Sequence, residues 1–198
     1  NASVANSGTI TTEGGQVLMQ AAALSDAVAS ITHTGVIDTT GTQGGAVTLQ
    51  ADQGNIQVSG SVKANSTGAG NAGGDVVMGR DVATGVLAKT TDVSGAKLES
   101  HGGFVETSGH DLTIDGAQVK AANWLLDPDN IDITNGTATA GYSKISASTL
   151  SGALTSGTNV TVNTTGGVTG TSAVTVTSAL GTGNIKVTDA ITKLTAGN

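Results

Sequence analysis

An all-β fold, a parallel β-solenoid with three short strands per coil, is predicted by three observations on this 198-residue sequence. A double glycine followed by alternating apolar residues recurs four times, and a Ser/Thr-Gly signature leading into an apolar position recurs ahead of it. The composition is dominated by small and hydroxyl residues, with 30 Gly and 32 Thr against one Pro, no Cys and three aromatics, Phe104, Trp124 and Tyr142. A fixed period in a Gly-rich chain marks a repeat architecture, in which each unit buries its apolar face only by stacking on its neighbour.

The double-glycine segments are GGQVLMQA from Gly14, GGAVTLQA from Gly44, GGDVVMGR from Gly73 and GGFVETSG from Gly102, spaced by 30, 29 and 29 residues. The preceding signature reads SGTIT at Ser7, TGVID at Thr34, SGSVK at Ser59 and SGAKL at Ser94. A third segment, NIQVSG from Asn55, is matched by DLTIDG from Asp111. Measured between Gly8, Gly35, Gly60, Gly95 and Gly116, the units are 27, 25, 35 and 21 residues long. The excess falls in loop composition such as ANSTGAGNAGG before Asp75. Constant strands with variable loops pair each strand with its equivalent one turn on, in parallel, giving roughly eight coils at ~4.8 Å each.

Period-two alternation assigns the inward positions. Val17 and Met19, Val47 and Leu49, and Val76 and Met78 stack in one strand. Ile10, Ile37 and Val62 stack in another, and Ile56 with Val58 and Leu112 with Ile114 in the third. Glu106 and Thr107 break the fourth double-glycine repeat, because Val105 predicts an apolar partner two residues on. Corner glycines are expected to supply left-handed backbone. Ala21 to Ser30 reads equally as a short helix or a bulged strand.

Charge divides the chain. Fourteen of the 15 acids lie at or before Asp132, and 17 of the 32 Thr lie after residue 133. The expected organisation is therefore 1–133, coils ending in the Trp-Leu-Leu-Asp-Pro segment, and 134–198, a Thr/Gly-rich continuation or a small β module. The net charge of −7 and the scattered Lys63, Arg80, Lys89, Lys97, Lys120, Lys144, Lys186 and Lys193 exclude a phosphate-tracking surface, so no nucleic-acid partner is expected. No run approaches the ~18 apolar residues of a membrane span, so no membrane insertion is expected. Without Cys there is no disulfide framework and no thiolate site. Asn1 is not an initiator Met and the sequence stops within a Gly/Thr pattern, so a piece of a longer protein is expected.

Residues 102 to 133, GGFVETSGHDLTIDGAQVKAANWLLDPDNIDI, resemble a region of the filamentous-haemagglutinin-like adhesins that Gram-negative bacteria export by two-partner secretion. The resemblance rests on GGFVETSG and on Trp-Leu-Leu-Asp-Pro-x-Asn-Ile-x-Ile, here Trp124 to Ile133. ISASTLSGALTSGTNVTVNTT from Ile145 and GNIKVTDAI from Gly183 are similar to the family's next block. It implies a right-handed parallel β-helix at the cell surface or outside the cell, serving as a fibre segment in cell adhesion. Partners would be neighbouring coils of the parent chain or identical subunits, and host-cell or matrix surfaces. The second reading is a self-assembling filament or matrix protein without a dedicated receptor. Trp124 with Leu125 and Leu126 is expected to plug a solenoid end or a join between stacks, a large aromatic burying ~150–250 Å².

No catalytic residue, cofactor or metal site is assigned. Asp127, Asp129, Asn130 and Asp132 place four oxygen-bearing side chains in six residues, whereas Ca²⁺ takes 6–8 oxygens. The cluster lacks an EF-hand Gly and distal Glu and reads as a polar turn; whether Asp127, Asp129 and Asp132 bind calcium is open at this level. GAGNAGG from Gly68 fits a GxGxxG search but opens no helix. His33, His101 and His110 read as solvated or corner residues, although His101 and His110 are placed to meet on one coil. Asp75, Asp81, Glu99, Glu106, Asp111 and Asp115 invite comparison with polysaccharide-cleaving β-helices, but no aromatic subsites accompany them, and no enzyme is expected. Asn-x-Ser/Thr occurs at Asn1, Asn65, Asn135, Asn159 and Asn163, sites at which glycosylation is open. Thr9, Thr11, Thr161, Thr175 and Thr177 suggest an ice-binding array, which the unequal coil lengths oppose.

Replacing Val47 by Asp is expected to unzip the second coil by placing an unpaired charge in the core, with a lowered melting temperature. An unchanged melting temperature would remove Val47 from the core.

Overall fold

The chain alternates three short extended segments with Gly-rich corners, which leaves each strand dependent on another unit for hydrogen bonds. A computed structural model describes residues 2–22, 28–164 and 183–194. The first unit holds β1 (Ala2–Asn6), β2 (Thr9–Thr11) and β3 (Gln16–Ala21); the second holds β4 (Ala29–His33), β5 (Val36–Asp38) and β6 (Ala46–Ala51). The third holds β7 (Asn55–Val58), β8 (Ser61–Lys63) and β9 (Asp75–Met78). Then follow β10 (Thr90–Asp92) with β11 (Lys97–Ser108), and β12 (Asp111–Thr113) with β13 (Gln118–Asp127). The remainder comprises β14 (Ile131–Ile133), β15 (Ser143–Ile145), α1 (Ala147–Thr155), β16 (Asn159–Val162) and β17 (Ile185–Val187).

The described structure is mostly β, and its named strands pair in parallel. One ladder runs β1-β4-β7-β10-β12. A second runs β2, β5, β8 and the first half of β11 and β13; a third runs β3, β6, β9, the second half of β11 and β13, and β16. The longest ladder thus has six strands among the described residues. Three separate strands per unit hold only at first. In β11 and β13 two of the segments merge into one long strand, which joins the second and third ladders into one sheet. In β11 the join is a bulge between Ser100 and Phe104.

Register places the predicted inward residues in columns. Ile10, Ile37, Val62, Leu98 and Val119 align in one. Val17, Val47, Val76, Val105, Trp124 and Val160 align in another, beside Met19, Leu49, Met78, Thr107, Leu126 and Val162. Val4, Ile31, Ile56, Thr91 and Leu112 form the third. Val47, Leu49, Val76, Met78 and Leu98 are fully buried, as stacked aliphatic positions require.

Corner glycines supply left-handed backbone as expected at Gly95 and Gly116, with φ of 71° and 69°, but the double glycine has a further cause. Gly14 and Gly102 adopt φ of 65° and 74°, whereas Gly15, Gly45, Gly74 and Gly103 have ordinary φ. A Cβ on Gly45 would collide with the Gly15 carbonyl, on Gly74 with the Gly45 carbonyl, and on Gly103 with the Gly74 carbonyl. In the second, third and fourth pairs the second glycine therefore lets successive backbones approach closely.

Trp124 lies within the stack, with β16 laid beyond it, and does not plug an end. Its indole is fully buried, and Nε1 donates to Thr107 Oγ1 at 3.0 Å. This explains the polar residue that breaks the fourth repeat. Thr107 occupies an inward apolar position because the tryptophan one layer on needs an acceptor. Thr91, the other polar residue in these columns, donates Oγ1 to the Ser108 carbonyl at 2.7 Å.

From β14 onward the chain does two things. β16 extends the third ladder, while β15, β14 and β17 form a separate three-stranded sheet. Between them Ile145 to Gly157, read above by resemblance alone, contains the helix α1. Ser146 caps it by accepting the Thr149 amide at 3.2 Å, and Gly157 ends it at φ 92°. The helix buries Ala147, Leu150 and Ala153. Residues 23–27 of the Ala21–Ser30 segment lie outside the described residues, as do Thr175, Thr177 and AVTVTS; Ala21 ends β3 and Ala29 begins β4.

Removing the acceptor through Thr107→Val is expected to cost about 1–3 kcal/mol by stranding the buried indole N–H. The double variant Thr107→Val/Trp124→Phe should lose less than the sum of the two single changes, measured as a double-mutant cycle in urea.

Candidate functional site

The side chains with chemical potential are distributed by register, not by sequence proximity. In the second ladder, outward residues align as Thr11, Asp38, Lys63, Glu99 and Lys120. Bases that look scattered along the chain thus alternate with acids across adjacent strands, an arrangement that supports the sheet. The six acids considered for a cleavage groove are dispersed. Glu99 belongs to this column, Asp75 is exposed on β9, and Asp111 accepts from Ser143 Oγ at 3.1 Å. Asp115 pairs with Lys144 Nζ at 2.7 Å.

Glu106, the other outlier of the fourth repeat, is buried on the opposite face of β11 from Thr107. Arg80 reaches it from the loop after β9, with Nε at 2.5 Å from Oε1 and Nη2 at 2.7 Å from Oε2. Ser108 Oγ donates to Oε1 at 2.9 Å. The hydrogen bond to Glu106 and its charge raise the guanidinium pKa above its ordinary value, although burial works against this. A bidentate pair closing a buried carboxylate fixes this loop on the sheet.

The same loop forms one wall of a groove of about 390 Å³ on the outer face of β3 and β6. Its floor is Gln16, Leu18, Gln20, Thr48 and Gln50, and its wall includes Asp81 and Val82. Leu18 and Val82 are 59% and 58% exposed, so aliphatic surface lies beside amide groups. Burial opposes the ionised form of Asp81, but the Ala83 and Thr84 amides and the Thr84 hydroxyl hold its carboxyl below the ordinary value. The Ala83 and Thr84 N–H groups lie 2.7 and 3.1 Å from Oδ1. Burial, and then the charge of Asp81, push the neighbouring Asp52 carboxyl up, with Gln50 opposing. This mixed floor can take a neutral polar surface with some apolar contact; it carries no nucleophile–base pair.

The Asp127–Asp132 segment is drawn apart. Asp129 pairs with His110 Nδ1 at 3.1 Å, and Asn130 Oδ1 accepts the Asn184 amide at 3.1 Å. Asp127 adds to the field that raises the Arg80 pKa. Asp132 accepts from Thr139 Oγ1 at 2.6 Å, from the Thr139 amide at 2.9 Å and from Thr188 Oγ1 at 2.7 Å, with Lys186 Nζ at 3.4 Å. Among the described residues no group of three or more His, Asp or Glu is gathered as a metal site.

Of the histidines, His33 is fully buried, which differs from the solvated placement expected. Asn6 Nδ2 lies 3.2 Å from its Nδ1 and the Ser61 carbonyl 3.1 Å from its Nε2. His101 is exposed, and His110 turns to Asp129. Asn135 and Asn159 are exposed, and Asn65 Oδ1 accepts the His101 amide at 2.9 Å. The groove was invisible in the sequence because it joins β3 and β6 to a loop some thirty residues further on; the alternation of outward polar residues was its one available signal. No protein-family model, curated protein or solved structure matches the chain.

The Thr139 and Thr188 hydroxyls chiefly hold the Asp132 carboxyl well below its ordinary 3.8, against the effect of burial. A lowered folded-state pKa stabilises above the unfolded value, and that contribution is lost as pH falls through the folded value. Asp132→Asn should therefore be less stable than the native chain at neutral pH, with the gap narrowing as pH drops past 3.8, read from urea midpoints across pH.

Proposed function

We propose that this chain is a right-handed parallel β-helix forming a fibre segment of a bacterial surface adhesin, similar to the filamentous haemagglutinins and exported by two-partner secretion. The observation that carries this reading is the in-register parallel pairing of equivalent strands in successive units. Such pairing extends a rod by repetition, and each unit stabilises the next through backbone hydrogen bonds and stacked aliphatic residues. The Trp124 to Ile133 motif supports the family assignment. The function is mechanical: to hold binding regions away from the cell and to offer outer faces, including the amide-lined groove, for weak repeated contacts.

A second reading, a self-assembling filament, is favoured by one feature. The strands β1, β2 and β3 carry no charged residue and pair in parallel with their equivalents in the next unit, a pattern that pairing between copies of the chain could continue.

Electron microscopy of the purified chain at low and high concentration, with adhesion of chain-coated beads to cells and matrix, decides between the two. Separate short particles whose beads bind support the adhesin segment. Long uniform filaments would make self-assembly the function, and coated beads that bind no better than bare ones would remove adhesion from this part of the molecule.

A further inference from the structure

Asn-Gly occurs once in the sequence, at Asn135-Gly136, in the turn that follows β14. Both residues are exposed. The hydrogen bonds around this dipeptide have a direction. The Gly136 amide donates to Thr134 Oγ1 at 3.0 Å, and that hydroxyl in turn donates to Asp189 Oδ2 at 3.0 Å. On the other side, Asn135 Oδ1 accepts the Ser148 amide at 2.8 Å and lies 3.5 Å from Ser146 Oγ, at the first turn of α1. The Asn135 amide also donates to Asp189, at 2.7 Å, which ties the turn to the chain after β17.

We propose that Asn135-Gly136 is a self-modification site, at which the fold promotes attack of the Gly136 amide nitrogen on the Asn135 carboxamide to close a succinimide ring. The proton that leaves and the charge that develops each have a group in place. The attacking N–H has a route for its proton, through the Thr134 hydroxyl to the Asp189 carboxylate, which acts as the base. The oxygen that becomes negative in the tetrahedral intermediate is Oδ1, already held by a backbone N–H at a helix N-terminus, the geometry of an oxyanion site.

The atoms balance without any co-reactant but water. The bond from Gly136 N to Asn135 Cγ forms and the Cγ–Nδ2 bond breaks. Ammonia leaves with the proton taken from Gly136, and water then opens the ring to aspartate or isoaspartate. α1 has no acidic residue in its first turn, so an aspartate at this position supplies the negative charge that a helix N-terminus favours. The inference stands on these contacts alone and is independent of the fibre reading.

The test follows residue 135 by peptide mass spectrometry and isoaspartate detection while the purified full chain stands at neutral pH, folded in buffer or unfolded in urea. The folded chain is expected to convert faster than the unfolded one. Thr134→Val, which removes the relay, and Ser148→Pro, which removes an N–H in the first turn that has no acceptor within the helix, should each slow conversion by about 10-fold or more. Circular dichroism verifies that each variant folds; Asp189→Asn takes the place of any that does not. A folded rate equal to or below the unfolded rate overturns the proposal, because the same network would then be protecting the turn. Folded variants that convert as fast as the native chain overturn it equally.

Discussion

A strand edge that has to be matched by the equivalent strand of the next unit is the constraint from which the rest follows. Parallel pairing leaves no freedom in register, since a slip of one residue would turn every inward Val, Ile and Leu outward. It also sets how near successive backbones come at the corners. There the carbonyls of Gly15, Gly45 and Gly74 occupy the space a side chain would need on the layer above, and this accounts for the double glycine more directly than turn flexibility does. Length variation is then confined to loops that leave the stack and return to it, such as the segments before β9 and before β10.

Where the columns depart from aliphatic residues, a specific partner compensates. Thr107 answers the indole of Trp124, and Thr91 answers the Ser108 carbonyl. Glu106 turns to the opposite face and meets Arg80. The end of the second ladder shows the same logic applied to backbone. Among the described residues no further strand pairs with the first half of β13, and there the hydroxyls of Thr149 and Thr158 accept the Gly116 amide just before β13 and the Ala121 amide within it, at 3.0 and 3.1 Å. Thr158 and Ser156 hydroxyls then lie 3.2 and 3.4 Å from the Val119 carbonyl. A helix with its flanking hydroxyls thus stands in for a strand, which suits a C-terminal part so rich in Thr and Ser.

The repeats were legible because period and alternation are local properties of sequence. Val17, Val47 and Val76, or Ile10, Ile37 and Val62, hold equivalent places in the repeat and align in register. Trp124 could not be placed, because its strand enters the third ladder without the double glycine that marks β3, β6, β9 and β11. The merging of segments in β11 and β13 was hidden for the same reason, as continuity of a strand depends on the neighbours it meets. The helix α1 carries a signal in Ser146, Gly157 and the spacing of Ala147, Leu150 and Ala153, but that signal is short and is set among segments of strand-like alternation. The candidate groove and the Asp129–His110 and Asp132–Thr188 contacts are long-range, and nothing local in the chain announces them.

The single tryptophan gives the molecule a built-in optical asymmetry. Trp124 is sealed among Val105, Val160 and the Thr107 hydroxyl near one end of the third ladder, so its emission belongs to a dry, hydrogen-bonded indole at that end. Fraying of β1 to β6 would pass without a change in colour, whereas loosening of β16 would shift the spectrum at once. Fluorescence and backbone dichroism recorded on one sample therefore report on different parts of the stack, and the gap between them measures how far cooperativity extends along it.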